Sequence, residues 1–89
     1  MGMVDKDYLR NRMEAAENGT AEAYYDLGLL YSIGHGVKQD NIEAHKWFNL
    51  AAMRGMISAQ IDRAEVADDM SYIEISEAQR KAREWMVTH

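Results

Sequence analysis

Residues 34 to 40, GHGVKQD, place chemically capable side chains at close spacing. Two glycines bracket His35, and Lys38 and Asp40 follow. A glycine-rich turn entering a helix cradles phosphate when it carries G-x-x-x-x-G-K-[ST] or the longer dinucleotide fingerprint. Gly34-x-Gly36 fits neither, and Asp40 sets an acidic cap at the next helix start, which repels an anion. A zinc corner needs three or four ligands; His35, His45 and His89 are scattered, and the chain has no cysteine. Ser58, Ser71 and Ser76 have no nearby histidine to serve as base, and Asp68-Asp69 beside a helix end reads as solvated surface rather than an acid/base pair. The expectation is a non-enzyme with no cofactor and no metal. The loop then reads as a turn: Gly34 ends a helix in the left-handed region, Gly36 permits a second positive φ, and Val37 plugs the gap between helices.

Bulk properties narrow the classes further. Eighty-nine residues make one small domain, and 47% hydrophobic content supplies a core. A net charge of −5 disfavours nucleic acid, whose phosphates need a basic face, and an anionic membrane surface. No run approaches the ~18 apolar residues of a membrane span. The acidic start MGMVDKD is unlike a secretory signal, and Lys6 stands where a myristoylation motif after Gly2 wants Ser or Thr. A cytoplasmic location is the default expectation. The absence of proline and the low β-branched content favour helices.

The elements that must position any site follow from punctuation. A first helix is expected from Asp5 to Asn18, stopped by Gly19. Thr20 caps a second over about 21 to 33, with Ala23, Leu27, Leu30 and Tyr31 at helical spacing. Asp40 starts a third, with Glu43 in a capping-box relation, and Gly55 ends it. A fourth covers about 57 to 69. Ser71 and Glu74 form another capping-box pair at the head of a fifth. Five helices with short connections predict antiparallel neighbours.

An internal period underlies this pattern. Ala15, Ala16, Gly19 and Ala23 recur as Ala51, Ala52, Gly55 and Ala59 at a constant offset of 36, and Gly28 maps to Ala64. Such a period signals helix pairs stacked as a solenoid. Gly28 inside a helix costs about 1 kcal/mol against alanine, so a neighbouring helix must approach closely there. Trp47 and Tyr31 are the bulky fillers.

The string A-x-x-x-L-G-x-x-Y-x-x-G-x-G-V-x-x-D-x-x-x-A-x-x-W-x-x-x-A-A-x-x-G-x-x-x-A resembles the Sel-one-like repeat, a relative of the tetratricopeptide repeat. It is filled here by Ala23, Leu27, Gly28, Tyr31, Gly34, Gly36, Val37, Asp40, Ala44, Trp47, Ala51, Ala52, Gly55 and Ala59. Residues 5–19 resemble the second helix of a preceding repeat, 20–55 a full repeat, and 56–89 a degenerate repeat with a closing helix similar to those of bacterial members. Arg63 stands where the pattern has leucine, and no second glycine–x–glycine–valine loop follows, so this end reads as a cap. The resemblance implies an all-α fold, a short right-handed solenoid of antiparallel helix pairs in one domain over 1–89. It also implies a scaffold or adaptor whose concave side is lined by the first helix of each pair.

Beyond its core stripe, helix two presents Glu22, Tyr25, Leu29, Ser32 and Ile33. The matching face of helix four carries Ser58, Ile61, Glu65 and Asp68. Together these predict a groove with an apolar floor and acidic rim, suited to a peptide or helix with apolar anchors and basic residues. The competing expectations are that the fifth helix covers this face, or that copies of the chain pair through it or through the solenoid ends as a homo-oligomer. Met53, Met56 and Met70 read as core filler. Arg80, Lys81 and Arg83 read as local ion pairing with Glu77 and Glu84.

Overall fold

The computed structural model describes residues 6–89. Among them there are five helices and no strand: α1 Lys6–Glu17, α2 Ala21–Ile33, α3 Asn41–Met53, α4 Ile57–Ala67 and α5 Tyr72–Thr88. The chain is all-α, a small helical-repeat stack. The expected first position of α1, Asp5, lies outside the described residues, and α4 stops two residues short of the expected 69.

The caps show which sequence signals acted. Asp40 accepts from the backbone N–H groups of Ile42 (2.9 Å) and Glu43 (3.1 Å), satisfying two otherwise orphaned donors of α3. Glu43 does not close the expected box; its carboxylate turns to Lys46 and Lys81. At α5 the box is complete, with Ser71 Oγ accepting from Glu74 N and Glu74 Oε1 accepting from Ser71 N. Thr20 sits at the N-cap of α2, but its side chain makes no capping bond. Replacing Asp40 by alanine should therefore cost about 1 kcal/mol, measured by urea unfolding. Thr20→Ala should cost only a few tenths, about 0.3 kcal/mol, because no cap is lost.

The period of 36 is built into the backbone. After α1, Asn18, Gly19 and Thr20 donate to Ala15, Ala16 and Ala15 at 3.1, 2.9 and 3.3 Å; after α3, Arg54, Gly55 and Met56 donate to Ala51, Ala52 and Ala51 at the same three distances. Gly19 (φ 79) and Gly55 (φ 92) take the left-handed geometry this turn needs. At the other turn Gly34 (φ 71) donates to Leu30 O at 2.8 Å, and its Cα faces Gln39 too closely for a Cβ. Gly36 also has positive φ, and Val37 packs on the core from the loop.

Side chains at motif positions fill the core. Ala23, Leu27, Ala44, Ala51 and Ala59 are completely buried, Trp47 and Phe48 nearly so, and Tyr31 packs half-buried at the edge. A Cβ at Gly28 would lie 2.5 Å from Cε1 of Phe48, so α2 and α3 approach as closely as the missing side chain permits. Phe48, rather than Trp47 or Tyr31, is the residue seated on this glycine. Met56 packs on the core as expected of a flexible filler, whereas Met53 is half-exposed.

The last helix departs from the expected hairpin. α4 and α5 are consecutive but share almost no packing; α5 lies along α3 instead. Ala78 and Ala82 are buried in it, and Trp85 meets Trp47 edge-on at 4.8 Å and Tyr24 at 6.4 Å. Trp85 Nε1 donates to the Tyr24 hydroxyl at 3.1 Å. The reason is the aromatic wall of Trp47 and Tyr24, against which Trp85 packs; α4 offers aliphatic side chains but no aromatic one, and Ala59 is its one buried residue.

Candidate functional site

With α5 drawn to α3, the second face of α2 stays open. Leu29 is 37% exposed, Ile33 66% and, on α4, Ile61 56%. Tyr25 joins the two helices: its hydroxyl donates to Asp62 Oδ2 at 2.5 Å, and its ring leans on Phe48 at 5.6 Å. The bond to the Asp62 carboxylate, then burial, pushes the Tyr25 phenol above its ordinary range, partly offset by Ser58. Tyr25 thus remains a protonated donor and a half-buried wall of the groove rather than a protruding anchor.

Of the residues expected here, Tyr25 and Ser58 come together, and Leu29, Ile33 and Ile61 supply exposed apolar surface. Glu22 on α2, Glu65 on α4 and Asp68 at the C-cap of α4 are exposed acids. Ser32 is half-buried and donates to Leu29 O at 2.9 Å, which ties it to its own helix. Sequence reasoning missed Asp62, the residue that fastens α4 to α2. Asp62 matches Asp26 at the 36-residue offset, but that repeat position does not point to Tyr25. The two serve different ends: Asp26 pairs with Arg12 at 3.0 Å, which holds α1 to α2.

The basic cluster of α5 is only partly local. Arg80 pairs with Glu77 (2.5 Å) and Glu84 on its own helix. Lys81 instead reaches across to Glu43 of α3 at 2.8 Å, and Lys46 joins the same carboxylate at 3.4 Å. Burial would raise the Glu43 carboxyl, but Lys81 and Lys46 outweigh it and hold it below the usual range. The Lys46 ammonium lies over the Trp47 ring at 4.1 Å and is pushed down by burial despite Glu43.

His45 was expected to be one of three scattered histidines; it is in fact a core residue, 4% exposed, and its Nδ1 has no hydrogen-bond partner. Burial, followed by the nearby Arg63 charge, lowers its pKa below the ordinary value. The unfolded chain therefore binds this proton more readily than the native one. His45 leaves stability intact above about pH 6.5 and subtracts from it as the pH falls below that value. The urea midpoint should drop between pH 7 and 5.5, and His45→Leu should flatten that drop.

A separate cavity of ≈ 220 Å³ lies between α2, α3 and α5, walled by Tyr24, Leu50, Arg54, Trp85 and Met86. It falls below the roughly 300–1,000 Å³ of most small-molecule sites. Among the described residues no three His, Asp or Glu side chains converge as metal ligands, and no helix is long and apolar enough to cross a membrane.

Comparison with known proteins agrees with this geometry. Residues 21–56 match the family model of the Sel1 repeat. No curated protein and no solved structure matches the chain. The matched span begins at the first residue of α2 and ends on the turn after α3, so it is one complete helix pair. Sel1 repeats are in general non-catalytic modules for protein–protein interaction. Residues 21–56, two antiparallel helices on a left-handed glycine turn, match the Sel1 repeat, and the chain is a small helical-repeat protein.

Proposed function

We propose that the groove between α2 and α4 binds a peptide or helical segment of a partner protein, making the chain an adaptor or regulator. The observation that carries this is the row Leu29, Ile33 and Ile61, exposed beside the Tyr25–Asp62 bridge. Apolar residues left uncovered on a small folded chain mark interaction surface when they cluster. Glu22, Glu65 and Asp68, exposed on α2, on α4 and at its C-cap, favour basic residues in the partner, steering encounter more than setting affinity. The same acids oppose pairing the groove with another copy of this chain.

Selection of peptides from a displayed random library on the immobilised chain tests the reading. Enriched sequences should combine apolar anchors with Lys or Arg. Leu29→Asp should weaken them by about tenfold or more, and Glu65→Lys with Asp68→Lys should slow association, most visibly at low salt. Enriched sequences that are acidic, or that bind Leu29→Asp as well as the parent, would remove the groove from the account.

A further inference from the structure

The cavity between α2, α3 and α5 combines apolar walls with two unused hydrogen-bond donors. Tyr24 and Leu50, both buried, line it together with Trp85, Met53 and Met86. No aspartate or glutamate lines it, and its one fixed charge is Arg54. That guanidinium is held in place: its central carbon lies 5.7 Å from the centre of the Tyr24 ring. On its other side it stands against the α1–α2 turn, where a Cβ on Gly19 would come within 2.9 Å of Nη2. Among the described residues no carboxylate reaches it at ion-pair distance.

Tyr24 holds the second donor. Its side chain is 2% exposed, and its hydroxyl accepts from Trp85 Nε1 at 3.1 Å. Among the described residues nothing accepts the hydroxyl's own proton. Buried donors ordinarily find an acceptor, so this wall calls for one. We infer that the cavity binds a small aromatic carboxylate, its ring against Trp85 and Leu50 and its carboxylate on the Arg54 guanidinium, with the Tyr24 hydroxyl as the second donor on that wall.

Size and charge select the ligand class. At ≈ 220 Å³ the cavity admits one ring with a short acid arm, since an apolar cavity of about 150 Å³ already holds benzene. One guanidinium fork matches one carboxylate in two parallel bonds. A phosphate dianion would bring more charge than Arg54 neutralises, beside walls that are otherwise apolar. Aromatic edges and thioethers suit a flat ring better than a branched aliphatic group. The ligand is opposite in charge to the basic segment proposed for the groove, so the two sites can be told apart.

Two probes carry the same chemistry: phenylacetate as a free acid, and a tripeptide ending in phenylalanine as a peptide C-terminus. Titrated into the isotope-labelled full chain, one or both should shift the Leu50, Met53 and Met86 methyls and the Trp85 indole N–H saturably. The expected Kd is about 0.1–1 mM, the range open to so small a ligand, and the tighter probe identifies the source. Phenylacetamide, the neutral analogue, should bind about fivefold more weakly than the acid or worse. Arg54→Gln, at an exposed position, should weaken phenylacetate about tenfold and change phenylacetamide less than about twofold. The inference is overturned if neither probe gives a saturable shift, if the amide binds as well as the acid, or if Arg54→Gln binds the acid equally. Acetate alone producing the same shifts would also overturn it, because the ring would then play no part.

Discussion

Replacing Gly28 by alanine is expected to destabilise the chain by about 2 kcal/mol, although alanine is the better helix former by about 1 kcal/mol. The sign is decided by Phe48, whose ring lies 2.5 Å from where the new Cβ would stand. That ring is nearly fully buried and its neighbour Tyr25 is bonded to Asp62, so it has little room to yield. Gly28→Leu should cost more, about 3 kcal/mol or above, against the roughly 4–13 kcal/mol expected of a chain this size. Urea unfolding followed by tryptophan fluorescence measures both. A double-mutant cycle sharpens the cause: in a Phe48→Leu background, part of the Gly28→Ala penalty should vanish. A Gly28→Ala variant as stable as the parent would mean that helix propensity, not close approach, governs this position.

The second large effect is expected at Trp85. It makes the edge contacts to Trp47 and Tyr24, donates to the Tyr24 hydroxyl, and stacks on His89 at 3.5 Å. His89 in turn contacts Glu17 at 2.8 Å, so the end of α5 reaches back to the end of α1. Trp85→Ala should cost about 3 kcal/mol, the lower part of the range for aromatic truncation because the ring is only partly buried. The loss should be local first, since α5 has few other anchors beyond Ala78, Ala82 and the Lys81–Glu43 pair. Amide exchange over Tyr72–Thr88 should accelerate while α2 and α3 stay protected. Trp85→Phe should recover most of the packing but not the bond to Tyr24. Uniform acceleration across all five helices would contradict a separately docked α5.

Much of this was legible in the sequence for identifiable physical reasons. Helix ends were readable because Asp40, Ser71 and the glycines at 19, 34 and 55 each satisfy a local backbone requirement, independent of tertiary context. The repeat was readable because both turns need the same small residues, so Ala15, Ala16 and Gly19 recur 36 residues on as Ala51, Ala52 and Gly55. The failures are tertiary. Glu43 stands at capping-box spacing, but two lysines, one from a distant helix, compete for its carboxylate. The antiparallel hairpin expected for α4 and α5 gave way to the aromatic wall of Trp47 and Tyr24, which only the fold brings together. The groove's apolar residues were located from periodicity alone, yet the Tyr25–Asp62 bond that spans it depends on the separation of two helices, which no local pattern encodes.

The central claim is that the open face beside Tyr25 receives a partner segment. Methyl-resolved titration of the labelled chain with a library-selected basic peptide tests it most directly. The account predicts saturable shifts at Leu29, Ile33 and Ile61, with the Leu50 and Met86 signals of the α3–α5 cavity unmoved. Shifts confined to Leu50 and Met86, with Leu29 and Ile33 silent, would contradict it.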